Sequence, residues 1–178
     1  MKKNILLTIS TLVLLFVSCK KSDTTIPISG TVTLSSLSFA DGSSYAINGF
    51  SFSAGAIHKY PGSQTDLLLL ALQNPSGDVD GAIFSAPDST IGTFNNNAFN
   101  QDLGTAETLY NNYSEVIATN FKALSDSIME GQIITYKTGD NKFAKFIVLA
   151  FRKISQGTEQ YAEVDIKWQF QPNGTAKF

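Results

Sequence analysis

The sequence predicts a mainly β fold, a single antiparallel strand-rich domain with one helix near 105–130. The strongest evidence is the segment 161–170, where apolar and polar residues alternate strictly. Such alternation is typical of an antiparallel strand with one buried and one solvated face. The chain length of 178 residues suits one domain, and 43% hydrophobic with 16% charged residues is a globular composition. The residues expected on the buried face of this strand are Ala162, Val164, Ile166, Trp168 and Phe170.

Short apolar segments bounded by turn residues predict the first strands. Thr31–Leu34 alternates and leads, through Leu37 and Phe39, to a turn at Asp41-Gly42. Phe50 and Phe52 lie two residues apart and so share one face of a strand over 47–54. The continuous apolar run 67–72 predicts a strand that is buried on both faces.

The second half of the chain continues this pattern with one interruption. Residues 82–84 predict a short strand, and 85–102 reads as a loop-rich segment. Segments 133–136 and 143–151 flank a turn at 139–141 and predict a hairpin. Between the loop-rich segment and this hairpin, apolar residues recur at spacings of three and four, which predicts a helix capped by Thr105 and ended by Gly131. The apolar stripe of this helix is Leu109, Tyr113, Val116, Ile117, Phe121, Leu124 and Ile128.

The N-terminus reads as a targeting signal. Lys2 and Lys3 precede an apolar run over 5–17. That run is shorter than the ~20 residues of a membrane-spanning helix and suits a signal peptide. It ends at Ser18-Cys19, and a small residue directly before the only Cys of the chain resembles a bacterial lipobox. The alternative is an ordinary signal peptide that contains a Cys.

The lipobox reading divides the chain into three parts. Residues 1–18 are the lipoprotein signal peptide, 19–29 a lipidated tether, and 30–178 the β domain. The resemblance implies that Cys19 becomes the acylated N-terminus, with palmitate among its chains. Because one acyl chain holds only weakly, stable anchoring takes more than one chain. The predicted partner of the N-terminus is therefore a membrane.

Composition argues against several functions. The 13 Lys and Arg against 15 Asp and Glu provide no basic surface for a nucleic acid. One Cys and one His cannot build a zinc site of Cys and His clusters. The sequence has no Gly-x-Ser-x-Gly, no phosphate-binding Gly-rich loop and no His-Glu-x-x-His, so we expect no enzyme activity.

His58 and Met129 are the candidate metal ligands. Imidazole nitrogen and thioether sulfur both bind haem iron, and Met129 is the only Met left after processing. The alternatives are a solvated surface His and a Met that packs in or beside the core.

Several segments, in shared order, resemble the HmuY family of haem-binding lipoproteins. The ordered match follows the lipobox and covers most of the mature chain. The matching segments are 50–55, 66–72, 81–85, 113–117, 133–146 and 168–174. The resemblance implies a mainly β fold and a deep cleft for haem between strand-rich lobes, in an extracytoplasmic protein.

The positions of this chain that match the family's haem ligands mostly lack His and Met. The resemblance implies two axial His or two axial Met, one shortly before the Tyr113 segment and one before the Ile133 strand. Residues 102–112 hold neither His nor Met, and only Met129 lies near the second position. Tyr110, Tyr113 and Tyr136 are further possible ligands in the matching half.

The sequence therefore predicts a lipid-anchored extracytoplasmic binding protein, in the outer membrane or at the cell surface, with haem or a porphyrin as candidate ligand. An outer-membrane transporter is a possible partner. The alternative is a surface adhesion or assembly module of the same fold that does not bind haem.

Overall fold

The computed structural model describes residues 28–62, 65–87, 93–99, 102–117 and 121–178, and for 93–99 it describes the backbone. The expected signal peptide, Cys19 and most of the expected tether lie outside the described residues. The first strand begins at Ile28, two residues before the expected start of the β domain.

Strands dominate the described chain, and the mainly β prediction is confirmed. Most strands are joined in order by short turns, as in other antiparallel folds. The elements are β1 (Ile28–Ser35), β2 (Ser38–Asp41), β3 (Ser44–Ser51), β4 (Ala56–Tyr60), β5 (Leu67–Gln73), β6 (Val79–Ser85), β7 (Thr93–Phe99), α1 (Leu103–Asn112), β8 (Gln132–Lys137), β9 (Phe143–Gln156) and β10 (Glu159–Gln171).

The strands form two antiparallel sheets. The first sheet has the order β1-β10-β9-β8-β7, and the second has the order β2-β3-β5-β6. β4 pairs with β3 on the edge opposite to β5, since Gly49 is paired with both His58 and Leu68. Beyond β6, the segment 123–128 continues this sheet through backbone hydrogen bonds to Ala82, Phe84 and Ala86.

The two sheets pack face to face over one aromatic core. Phe52 stacks on Phe146 with ring centroids 5.8 Å apart, and Phe84 meets the same ring edge-on at 5.2 Å. Phe50 lies 5.1 Å from the indole of Trp168. Because these rings come from both sheets, their burial holds the sheets together.

The last strand behaves as its sequence predicts. Ala162, Val164 and Ile166 are fully buried, and Trp168 and Phe170 are 3% and 1% exposed. This face meets the second sheet, while the alternate residues face outward. The hairpin of β8 and β9 is confirmed too, with Tyr136 paired to Ala144 across the turn.

The helix prediction over 105–130 is wrong in its extent. α1 spans only Leu103–Asn112 and is capped by Asp102, whose side chain accepts a hydrogen bond from the Thr105 amide. Its buried residues are Ala106 and Tyr110, and Leu109 of the expected stripe is 44% exposed. Gly131 does not end a helix but precedes β8 with φ +80°.

The described residues between α1 and β8 are not helical. Ile128 donates its amide to the Ala82 carbonyl and Ser125 donates to Phe84, so the segment is a neighbour of β6. The sheet buries Ile128, while Ile117 and Leu124 stay 80% and 46% exposed. Pairing with the free edge of a strand satisfies the backbone here, and it overrides the helical spacing.

Two strand predictions are corrected in detail. The segment 85–102, expected to be loop-rich, contains β7, which pairs with β8. β5 is buried on both faces only over its first half, because Leu67–Leu69 are buried whereas Leu72 is 38% exposed.

Candidate functional site: a cleft at one end of the sandwich

A cleft of about 470 Å³ opens at the end of the sandwich where β1 ends and β10 begins. This volume is within the usual range of small-molecule sites, ~300–1,000 Å³. Its walls are the β1–β2 link, β3, β5 and the turns before β6 and β10. We call it the end cleft, and its lining residues are Ser36, Leu37, Ser38, Ile47, Leu69, Leu70, Ala71, Gln73, Gly77, Thr158, Glu159, Gln160 and Tyr161.

The end cleft lies far from the N-terminal end of the domain. Ile28 is paired with Phe170 at one end of the first sheet, and Ser35 is paired with Glu163 near the other. The seven spacings of about 3.3 Å from Ile28 to Ser35 separate these ends by roughly 23 Å. The described chain therefore begins at the end of the domain opposite the end cleft.

Hydrogen bonds fix the walls of the end cleft. Gln160 crosses between the sheets: its Oε1 accepts from the Val79 amide at 3.0 Å, and its Nε2 donates to Asp78 Oδ1 at 2.8 Å. The Ala162 amide donates to Ser36 Oγ at 2.8 Å, and the Ser36 amide donates to the Ala162 carbonyl at 2.9 Å. The β1–β2 link and the β5–β6 turn are therefore both tied to β10.

The lining combines apolar side chains with uncharged polar groups. Leu37, Ile47 and Leu70 are half-buried and give the end cleft its apolar surface. Tyr161 adds an aromatic ring with a hydroxyl group. Among the described residues that line the end cleft, Glu159 alone is charged.

His58 lies on β4, at the edge of the second sheet, and not in the end cleft. The side chain is half-buried, and its Nε2 is buried without a hydrogen-bond partner among the described residues. Thr65 Oγ1 is buried in the same way, and the Thr65 side chain occupies the space over Gly49, the residue paired with His58. The expected solvated His is therefore a partly enclosed one.

Asp66 interacts electrostatically with His58. Its Oδ2 accepts a hydrogen bond from the Phe52 amide at 2.8 Å. Burial raises the pKa of Asp66, and the hydrogen bonds from Phe52 and Ser51 oppose that shift. The carboxylate thus holds the β3–β4 turn against the start of β5.

Met129 lies at the opposite edge of the same sheet. It follows Ile128, which is bonded to β6, and its side chain is 46% exposed. Four strand spacings of about 4.8 Å separate β4 from this segment, so His58 and Met129 lie roughly 19 Å apart across the sheet, and they are also displaced along the strands. The structure does not bring them together, and one iron could not bind both.

The three candidate tyrosines also lie outside the end cleft. Tyr136 is 1% exposed in the core, with its ring 5.2 Å from that of Phe52. Tyr110 is 3% exposed on the buried face of α1, and burial raises its pKa well above the usual value. Burial also raises the pKa of Tyr113.

Lys145 is a buried cation on β9 with a structural role. Its side chain is 3% exposed, and Nζ donates to the Tyr110 and Tyr113 carbonyls at 2.9 and 2.6 Å. The rings of Tyr110 and Phe178 lie 4.7 and 5.2 Å from Nζ. Burial, together with the nearby charge of Lys167, lowers the pKa of Lys145 to about 8. The ammonium thus caps the C-terminal end of α1.

The described residues form neither a metal-binding cluster nor a membrane-spanning helix. No group of three or more His, Cys, Asp or Glu side chains is placed to hold a metal ion there. No helix in the described part of the chain is both long and apolar enough to cross a membrane.

The fold and the end cleft define a two-sheet antiparallel β domain with a ligand-sized opening at one end. No protein-family model matches the chain, and a search of the curated proteins finds no match.

No pattern in the sequence identified the residues that line the end cleft. They come from four separate parts of the chain, between Ser36 and Tyr161, and no local motif joins them. The only local signal was the set of turn residues at Gly77 and Gly157, which bounds the strands whose ends form the walls.

Proposed function

We propose that the chain is a lipid-anchored extracytoplasmic binding protein whose ligand lies in the end cleft. The observation that supports this proposal is the end cleft itself: a cavity of about 470 Å³ with walls tied by hydrogen bonds, at the end of the domain opposite Ile28. A preformed cleft that combines apolar side chains with polar groups is typical of a binding site. The resemblance of residues 16–19 to a lipobox supports the anchor.

The resemblance to the HmuY family makes haem or a porphyrin the first ligand to test. The residues present do not fit a haem with two axial ligands, since His58 and Met129 lie roughly 19 Å apart by strand spacing. The lining of the end cleft, all of it described, contains neither residue type. Apolar contacts with Leu37, Ile47 and Leu70 would then hold the ring of a porphyrin.

We expect Cys19→Ala to release the protein from membranes. Without the thiol no acyl chain can be attached, and the hydrophobic anchor is lost. Fractionation of cells followed by mass measurement of the native N-terminus checks this. Cys19→Ser, which keeps the polarity and size of the side chain, should behave as Cys19→Ala does. Membrane association that persists in both variants, with no lipid mass on the native chain, would refute the anchor.

We expect weak porphyrin binding that does not depend on iron ligation. Titration should give a high-spin Soret spectrum with haem, and an affinity for iron-free protoporphyrin within about threefold of that for haem, because apolar contacts act on the ring alone. His58→Ala and Met129→Ala should leave both titrations unchanged.

A six-coordinate low-spin spectrum that either substitution abolishes would contradict this expectation. It would require two strong ligands on the iron, and therefore a different arrangement of β4 and the segment after β6. Absence of any Soret change would exclude haem as the ligand, and the end cleft would then bind a different ligand.

A further inference from the structure

We infer that the end cleft binds an uncharged, hydroxyl-rich ligand with an apolar face, namely a short segment of neutral oligosaccharide. This inference rests on the proposed binding function and names the ligand class of the same cleft. It follows from three properties of the lining: its charge, its free polar groups and its apolar surface.

The charges at the end cleft disfavour an anion. Glu159 lines the end cleft, and Asp78 lies beside it, where its Oδ1 accepts from Gln160. The nearby cation Lys153 is paired with Asp80 at 3.8 Å and is not among the lining residues. A ligand carboxylate would therefore face carboxylates and lose its water without gaining a cation. The two propionates of haem meet this obstacle, and an uncharged ligand does not.

Free polar groups surround the opening. The side chains of Ser38, Gln73 and Thr158 make no hydrogen bond within the described chain. Ser36 and Gln160, by contrast, are occupied in holding the walls. Hydroxyl and amide groups both donate and accept hydrogen bonds, and so do the hydroxyls of a sugar. The free groups can therefore pair with a ligand that carries many hydroxyls.

The apolar surface completes the match. Leu37, Ile47 and Leu70 line the same cleft as the aromatic side chain of Tyr161. A pyranose ring presents its C–H groups on one face and its hydroxyls at the edge, so it packs on an aromatic ring while the edge bonds to polar side chains. An apolar ligand without hydroxyls would leave the side chains of Ser38, Gln73 and Thr158 without hydrogen-bond partners.

The test uses the full lipidated protein in detergent micelles. Saturation-transfer NMR and calorimetry measure binding of neutral trisaccharides of glucose, xylose, mannose and galactose, and of trigalacturonate as the anionic probe. At least one neutral trisaccharide should bind, and trigalacturonate should bind at least tenfold more weakly. Tyr161→Ala should weaken the neutral binding roughly three- to tenfold, the value of one aromatic packing contact.

A charge variant makes the test specific. Glu159→Gln keeps the size of the side chain and removes its charge. It should leave the affinity for the neutral trisaccharide within about twofold, and it should reduce the ratio of that affinity to the affinity for trigalacturonate. Tyr45→Ala is the matched control, because Tyr45 is a 76% exposed tyrosine that does not line the end cleft, and it should change nothing. The fluorescence of the buried Trp168 reports that each variant is folded.

The outcomes separate this inference from the proposed function. No binding of any neutral trisaccharide, or equal loss of binding in Tyr45→Ala, overturns the ligand class. Tight haem binding that Tyr161→Ala abolishes would also overturn the oligosaccharide as the ligand class, although it would support the proposed binding function. Failure of the anchor appears independently in the membrane fractionation of Cys19→Ala.

Discussion

Replacing Trp168 with Ala should lower the free energy of unfolding by about 3–5 kcal/mol, the usual cost of removing a large aromatic side chain from a core. The indole is 3% exposed and lies 5.1 and 6.1 Å from the rings of Phe50 and Phe52. Gly30 and Gly55 also approach it so closely that an added Cβ would lie 3.3 Å from the indole. The neighbours belong to both sheets, so the cavity could close only if the two sheets moved closer together.

Chemical denaturation checks the expected loss. Tyr45→Ala is the matched control, because that ring is 76% exposed and its removal should change stability by less than about 0.5 kcal/mol. A loss below about 1 kcal/mol for Trp168→Ala would contradict the assignment of Trp168 to the centre of the core.

The second large effect is an increase of stability with pH that depends on Lys145. Its pKa is about 8 in the folded protein, against an ordinary lysine pKa of 10.5. Between these values the unfolded chain binds more protons, so the free energy of unfolding rises with pH. The full gain is about 3 kcal/mol, and roughly 2 kcal/mol of it falls between about pH 7.5 and about pH 9.5. Only well below pH 8, where Lys145 is fully protonated in the folded protein, is the cost of burying the charged form fully present.

Lys145→Met isolates this effect. The Met side chain is similar in length and never charged, and the other titrating groups contribute equally to both proteins. The stability of the native protein relative to Lys145→Met should therefore rise by roughly 2 kcal/mol over this pH range. This pH range ends below the ordinary pKa of tyrosine. At higher pH the raised pKa of Tyr110 lowers the free energy of unfolding and so opposes the gain from Lys145. A difference that stays constant with pH would show that Lys145 keeps its ordinary pKa.

The sequence alone predicted the strands whose side chains alternate. In β10 the residues from Ala162 to Phe170 have only one apolar face, and a strand is the only element that buries such a face. The hairpin of β8 and β9 was predictable for a similar reason, because its turn residues lie between two apolar runs. These signals are local, and each is complete within about ten residues.

The segment after α1 shows where local signals fail. The apolar spacing from Leu109 to Ile128 fits a helix, yet the residues after Asn112 are not helical where the structure describes them. Ile128 and Ser125 bond instead to the edge of β6, more than forty residues earlier. A partner so distant in sequence leaves no trace in the local spacing, and its backbone hydrogen bonds outweigh a weak helix propensity.

The sequence by itself determined the fold class, the core face of β10 and the motif that suggests an anchor at Cys19. It also identified His58 and Met129 as the candidate strong iron ligands of the mature chain, because residue types can be counted without a structure. Only the tertiary structure decided that these two lie at opposite edges of one sheet, and that Ser36, Leu70 and Tyr161 line one cleft. The reason is physical: sheet order and the packing of the two sheets set the distances between remote residues, and the pairing of distant strands determines both.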